Sequence, residues 1–181
     1  MVKSNLCVKF LFQKVHKPYL NYTMIPKDFP RRMMSRAIHL AREGRDMDNG
    51  KPFGAVVTKG EEIIAEARSE VICTGDFTQH AILRTIRKAS RKLKSRKLSG
   101  CVLYTSCEPC MMCLGAAYWA DFDYIYFGAS AQDAVTRGFS YSGMYRNSDP
   151  HQRHDEFKMI QLCREEAIQV LKAARKENLK T

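Results

Sequence analysis

Two short stretches of the sequence combine residue types that bind transition metals. The first begins at His80, and the second contains Cys107 and Cys110. Imidazole nitrogens and cysteine thiolates are preferred ligands of Zn²⁺, and a site with three protein ligands keeps its fourth tetrahedral position for water. The spacing therefore predicts one zinc site per chain, of the catalytic rather than the closed structural type, held by His80, Cys107 and Cys110.

Each stretch stands at the start of a predicted helix. Apolar residues recur at helical spacing over residues 78–95 and over residues 109–119. A helix N-terminus carries partial positive charge and free N–H groups, which favour the thiolate form of a cysteine there. This placement supports the two cysteines as metal ligands.

The same residues admit other interpretations. Cys107, Cys110 and Cys113 form a C-x₂-C-x₂-C run of the iron–sulfur type, but the fourth ligand of such a run would fall at Ala117. Taken alone, His80 reads as a surface or capping histidine and Cys110 as a buried helix cysteine. We interpret Cys113 as a small apolar residue that faces the core.

The charge of the chain is strongly positive. Its 181 residues carry 30 Lys and Arg against 19 Asp and Glu, a formal net charge of +11, which attracts phosphates and anionic surfaces. Eight basic residues and no acidic one lie between Arg84 and Lys97. The run is typical of a solvated helix face. Because it contains no aromatic residue to stack on bases, any nucleic-acid binding through it should be weak and non-specific.

The length predicts a single globular domain. Residues 1–28 form a basic N-terminal extension, and residues 29–181 form the domain that carries the zinc site. The extension reads as a segment packed on the domain, a misassigned start upstream of Met24, or a targeting segment, although it lacks arginine. The longest apolar run, residues 111–120, is about half of what spans a bilayer. No membrane segment is expected, and the scattered cysteines favour a reducing, cytoplasmic setting.

The remaining periodicity predicts an α/β protein: a three-layer α/β/α sandwich around a five-stranded mixed sheet. An initial hairpin of two strands is followed by strands that alternate with helices. The predicted strands are 53–58, 63–71, 101–105, 124–128 and 157–162, and the predicted helices are 31–43, 78–95, 109–119, 132–137 and 164–176.

The motifs resemble those of the cytidine deaminase superfamily. His80 with the stretch Ser106-Cys107-Glu108-Pro109-Cys110 is similar to the superfamily signature, and the stretches 52–57, 103–110 and 113–120 are most similar to bacterial-type guanine and nucleoside deaminases. The resemblance covers residues 29–175. It implies a Zn²⁺ cofactor that activates water for attack on a ring carbon, and a nucleobase or nucleoside ligand. It also implies parallel strands 3 to 5 and a homodimer whose C-terminal segment can swap to the partner.

The sequence departs from the family pattern at the residue that should transfer protons. Ile82 stands where the His-Ala-Glu motif has its glutamate. That glutamate takes a proton from water and delivers protons to the ring nitrogen and to ammonia. Isoleucine can do neither, so the resemblance implies a deaminase-family protein that is catalytically silent or strongly impaired. The alternative is an active hydrolytic deaminase whose acid–base group comes from elsewhere, for example Asp155 or Glu156 in the C-terminal segment.

Further departures fall where the resemblance implies the substrate pocket. We expect this pocket to contain Phe53, Ser69, Gln79 and Ser106. Ser69 aligns with an asparagine that holds the base, and Phe77-Thr78-Gln79 replaces Pro-Thr-Ala. After the fourth strand, residues 138–141 read Gly-Phe-Ser-Tyr in place of Gly-Phe-Asp-Asp. The scaffold motifs are kept while the pocket motifs differ.

Overall fold

A five-stranded mixed sheet forms the middle layer of the computed structural model, which describes residues 25–47, 50–139, 143 and 149–174. Its strand order is β2-β1-β3-β4-β5. β1 runs antiparallel to both β2 and β3, whereas β3, β4 and β5 are parallel. This confirms the predicted α/β/α class and the parallel arrangement of strands 3 to 5. The strands are β1 (Gly54–Lys59), β2 (Glu62–Arg68), β3 (Cys101–Cys107), β4 (Tyr124–Ala129) and β5 (Met159–Gln161).

Helices cover both faces of the sheet. They are α1 (Phe29–Asp46), α2 (Val71–Thr74), α3 (Ala81–Lys92), α4 (Met111–Ala120), α5 (Ala131–Val135), α6 (Pro150–Glu156) and α7 (Arg164–Lys172). Successive strand residues point to opposite faces, so Val56 packs with α1 and α7 while Val57 packs with α3 and α4. Every residue of the central strand β3 is buried, because helices cover it on both sides.

The region before α3 differs from the single helix predicted over residues 78–95. Gly75 ends α2 in the left-handed region, at φ +66°, which glycine adopts at little cost. Asp76 then caps a 3₁₀ turn, Phe77–Gln79, by accepting a hydrogen bond from the Thr78 N–H. These two local features delay the α-helix until Ala81, directly after His80.

Two of the described helices, the four-residue α2 and the seven-residue α6, were not predicted from the sequence. α6 has the sequence Pro-His-Gln-Arg-His-Asp-Glu, which contains no apolar periodicity. Its start signals are nevertheless present, because Pro150 occupies the first turn and the Asp149 side chain accepts a hydrogen bond from the His151 N–H. This helix carries side chains that reach the candidate site.

Several predictions fall at or beyond the edges of what the structure describes. Residues 1–24 lie outside the described residues, and with them nearly all of the predicted basic extension. Ser140 and Tyr141 also lie outside them. Among the helices that the structure describes, none has the length and apolar character needed to cross a membrane.

Candidate metal centre and adjoining cleft

One imidazole and two thiols meet where α3 and α4 begin. His80 directly precedes α3, Cys110 directly precedes α4, and Cys113 lies in the first turn of α4. The His80 Nδ1 atom is 3.5 Å from the Cys110 Sγ atom and 3.5 Å from the Cys113 Sγ atom. The side chains of Cys110 and Cys113 lie on the same face at the start of α4, because residues three apart share a helix face.

This grouping differs from the predicted ligand set of His80, Cys107 and Cys110. Cys107, which the sequence analysis assigned as a ligand, ends β3 and packs among the residues beneath α1 and α7. Its Sγ atom lies 3.9 Å from the Ser130 carbonyl oxygen, outside the group formed by His80, Cys110 and Cys113. Cys113, interpreted from the sequence as a core residue, is buried in the core as expected, but its sulfur also contacts the His80 ring.

The geometry of the three side chains fits Zn²⁺. Zinc–nitrogen and zinc–sulfur bonds of about 2.0 and about 2.3 Å at a tetrahedral angle put the two ligand atoms about 3.5 Å apart, as found between His80 and each sulfur. All three ligand atoms lie within 4.8 Å of one another, and no other group of three such ligands occurs among the described residues. Three ligands leave a fourth tetrahedral position for another molecule.

The electrostatics of the cysteine pair also suit a metal site. A hydrogen bond from Cys113 lowers the pKa of the Cys110 thiol, and a second contact with His80 lowers it further against the opposing effect of burial. The same hydrogen bond and burial raise the pKa of Cys113. One thiolate is therefore already favoured in the folded chain, and metal binding has to displace the proton of the second.

A cleft opens beside the three ligands. It holds about 420 Å³ of empty space, counted with the solvent at its mouth. Phe53 and Ser69, two of the predicted pocket residues, line it together with Ile82, Thr105 and Glu108. The cleft therefore joins the metal ligands to part of the predicted substrate pocket.

The other two predicted pocket residues point elsewhere. Gln79 forms side-chain hydrogen bonds with Asp76 and Arg87, and the Ser106 hydroxyl accepts a hydrogen bond from the Gly54 N–H. Neither residue lines the cleft. Ser106 instead fixes the start of β1 against the end of β3.

Ile82 brings an apolar side chain to the wall of the cleft. It is 5% exposed and packs in the same cluster as Cys110 and Cys113. The residue lies in the first turn of α3, two positions after His80. An isoleucine in this position neither donates nor accepts a proton.

Glu108 is the one carboxylate among the described residues that line the cleft. It accepts hydrogen bonds from the Ala131 N–H at 2.8 Å, from Arg153 Nη2 at 2.7 Å and from His154 Nε2 at 3.1 Å. Burial opposes its ionisation, but these hydrogen bonds outweigh burial and hold the pKa of Glu108 below its usual value. Glu108 is therefore ionised, and its hydrogen bonds hold the carboxylate in place.

The two carboxylates proposed as replacements for the missing glutamate lie away from the cleft. Asp155 and Glu156 are exposed on α6 and do not line it. Glu70, which precedes α3 in the sequence, is paired with Arg84, with 2.6 Å between Oε1 and Nη1, and it does not line the cleft either.

The segment that carries these metal ligands also matches a known protein family. Residues 27–129 match the family model of the cytidine and deoxycytidylate deaminase zinc-binding region. Guanine deaminase of Bacillus subtilis is 46% identical over 116 residues, which make up 64% of this chain and 74% of that protein. A tRNA-specific adenosine deaminase of Aquifex aeolicus is 36% identical over 93 residues, or 51% of this chain and 62% of that protein.

Solved structures agree with this comparison. The crystal structure of the Bacillus subtilis guanine deaminase superposes with a TM-score of 0.62 at 37% identity, covering 71% of this chain and 90% of that one. A guanine deaminase from Nitrosomonas europaea superposes with a TM-score of 0.69 at 26% identity, covering 79% and 82%. The fold and the zinc-binding segment are thus shared with deaminases of purine bases.

Proposed function

Because the chain belongs to the cytidine and deoxycytidylate deaminase zinc-binding family, we propose that it is a guanine- or nucleoside-deaminase-type protein that binds a nucleobase or nucleoside beside zinc but is catalytically silent or strongly impaired. The observation that carries this proposal is the position of Ile82, which lines the cleft next to the metal ligands where the deaminase signature has glutamate. Under this proposal the chain keeps a deaminase fold and a set of zinc ligands but lacks the group that transfers protons.

His80, Cys110 and Cys113 are the residues that would hold the zinc. When bound, the metal supplies an activated water for attack on a ring carbon of the base. The protein must still remove a proton from that water and deliver protons to the ring nitrogen and to the departing ammonia. Because Ile82 provides no titratable atom, these transfers have no carrier at this position.

No other described group in the cleft supplies a carrier. Glu108 is held as an anion by Ala131, Arg153 and His154, so its oxygens are engaged and it has no proton to give. Loss of one general acid–base group costs about 10²–10⁴-fold in rate. Loss of a group that serves several proton transfers should lower the rate by at least the upper end of that range.

An active deaminase is the second candidate function. Asp155 and Glu156 are solvent-exposed on α6, so both are accessible to a neighbouring copy of the chain. In a dimer with a swapped C-terminal segment, either carboxylate would enter the partner's cleft and act as the acid–base group. Turnover by the native chain, abolished by Asp155→Asn or Glu156→Gln, would support this candidate over the silent one.

Ligand binding without conversion tests the first proposal. The zinc-loaded protein is titrated with guanine and with cytidine in a calorimeter, and the ligand is then recovered and analysed by chromatography. We expect binding of at least one ligand, recovered unchanged, and weaker binding by Phe53→Ala because Phe53 lines the cleft. Phe77→Ala is the matched control, since Phe77 is 69% exposed and does not line the cleft. Recovery of the deaminated product would contradict the proposal.

We propose a homodimer with α4 at the contact. Four large apolar side chains of α4 are exposed in the single chain, and Trp119 is 73% exposed. Exposed apolar surface of this kind marks interaction sites. The four residues are Met111, Met112, Tyr118 and Trp119.

Light scattering at micromolar concentration should give twice the mass of the chain. Trp119→Glu should give a monomer, because it places a charge in the contact, and Phe77→Glu should remain dimeric because Phe77 lies outside α4. A native monomer at this concentration would contradict the dimer.

Nucleic-acid binding through the basic run of residues 84–97 is expected to be weak. Several of its charges already have partners in the protein, including Arg84 with Glu70 and Lys92 with Glu62. Fluorescence anisotropy with a labelled tRNA should show binding at 50 mM salt that falls by about 10³-fold or more at 200 mM, without preference for sequence. Tight, sequence-selective binding at high salt would show that this surface is a specific site.

The state of the cysteines supports a cytoplasmic location for this function. Cys110 and Cys113, the two sulfur ligands of the proposed zinc site, are not in disulfides. A reducing compartment keeps Cys110 and Cys113 as thiols, as metal binding requires.

A further inference from the structure

Glu108 connects the metal centre to the C-terminal part of the chain. Its side chain is 3% exposed, and its two oxygens receive donors from two different helices. Oε2 accepts from the Ala131 N–H of α5, whereas Oε1 accepts from Arg153 and His154 of α6. Arg153 is itself only 7% exposed, so the ion pair is buried on both sides.

A buried carboxylate of this kind depends on its donors. Taking a charge out of water is costly unless paired charges and hydrogen bonds offset the loss. Arg153 contributes two N–H groups, Nε at 3.2 Å and Nη2 at 2.7 Å, in the fork geometry that only arginine offers. Arg153 and His154, both on α6, donate hydrogen bonds to Oε1, so α6 contributes charge compensation for Glu108.

The main chain carries the position of Glu108 to the metal ligand Cys110. The Glu108 N–H donates to the Ala129 carbonyl at 2.8 Å, which holds this residue at the end of β4. Only Pro109 separates Glu108 from Cys110, and the proline ring fixes one backbone angle of that link. Displacement of Glu108 would therefore move the Cys110 sulfur relative to His80 and Cys113.

We propose that Glu108 is a positioning residue for the metal centre and that α6, through Arg153, keeps it in place, so that zinc retention and docking of α6 are coupled. The proposal rests on His80, Cys110 and Cys113 being the ligands. Coupling between two sites is reciprocal. Loss of the α6 contact weakens zinc binding, and loss of zinc loosens α6.

Zinc affinity of the full-length chain provides the first test, measured by competition with a chromophoric chelator. Arg153→Met keeps an unbranched, largely aliphatic side chain but removes the guanidinium and its charge, and Arg153→Lys keeps the charge but removes the fork. We expect Arg153→Met to lower zinc affinity about 10–100-fold, the usual effect of removing a group that orients a metal ligand. The zinc affinity of Arg153→Lys should lie between those of the native chain and Arg153→Met.

Arg164→Met is the matched control. Arg164 pairs with Asp133 on the exposed surface between α7 and α5, away from the metal ligands, so its loss should leave zinc affinity unchanged. Circular dichroism before each titration restricts the comparison to folded protein. If Arg153→Met is poorly folded, Arg153→Lys and the native chain still decide the outcome.

Hydrogen–deuterium exchange of the native chain tests the reverse direction. Removal of zinc by a chelator should speed exchange in residues 150–156 of α6 at least several-fold, with a smaller change in α7. Unchanged exchange in α6, or zinc affinity of Arg153→Met equal to that of Arg164→Met, would overturn the coupling. A Cys110→Ser variant that retains zinc fully would instead overturn the ligand set on which the coupling rests.

Discussion

Replacing Ile82 with glutamate is expected to leave guanine turnover close to that of the native chain. The substitution returns a proton carrier to the cleft beside His80, but a carrier accelerates the reaction only if the base is held in attack geometry. The groups that should hold the base also differ. Ser69 lines the cleft where the resemblance implies asparagine, and Gln79 turns away from it to Asp76 and Arg87.

Ammonia release from guanine and from cytidine measures this effect. Ile82→Gln is the control, because it has the shape of glutamate without the acid, and zinc content is determined for each protein. We expect all three proteins to differ by less than about tenfold. A rise of several orders of magnitude for Ile82→Glu alone would show that the rest of the pocket is competent and that Ile82 is its only defect.

The cysteine variants should separate the two possible ligand sets completely. Cys110→Ser and Cys113→Ser each remove a sulfur that lies 3.5 Å from His80 Nδ1, so bound zinc should fall from about one ion per chain to near zero. Cys107→Ser should keep its zinc, because the Cys107 sulfur lies near the Ser130 carbonyl instead. Metal analysis after dialysis gives the ratios.

Thermal unfolding provides an independent measure of the same effect. A ligand that binds only the folded state raises its stability, so a chelator should lower the melting temperature of the native chain and of Cys107→Ser. It should hardly change that of Cys110→Ser or Cys113→Ser. Zinc lost from Cys107→Ser but kept by Cys113→Ser would restore the original prediction.

Most of the fold could be predicted from local pattern. The apolar runs around residues 53–58, 101–105 and 124–128 each became a strand within a few residues of the expected ends. The parallel arrangement of β3, β4 and β5 came from the family resemblance rather than from periodicity. α6 was not predicted because its seven mostly polar residues carry no amphipathic signal, even though Asp149 and Pro150 provide helix-start signals.

The site was predicted less completely, for a geometric reason. Sequence spacing places Cys107, Cys110 and Cys113 in one short stretch after the start of β3, but strand and helix geometry decide which sulfurs meet His80. Cys107 ends the strand and packs on the α1 and α7 side, whereas Cys110 and Cys113 are three apart at a helix start and share one side. The contacts of Glu108 with Arg153 and His154 join segments far apart in the chain, and no local pattern indicates them.

Ammonia release by the native, zinc-loaded chain is the most direct test of a deaminase-type site that binds without turnover. Guanine and cytidine are incubated with protein of verified zinc content, and the rate is compared with that of Cys110→Ser and of a protein-free blank. We predict a native rate indistinguishable from both references, because Ile82 provides no proton carrier and Glu108 is a fixed anion. Robust release by the native chain that disappears in Cys110→Ser would contradict the account.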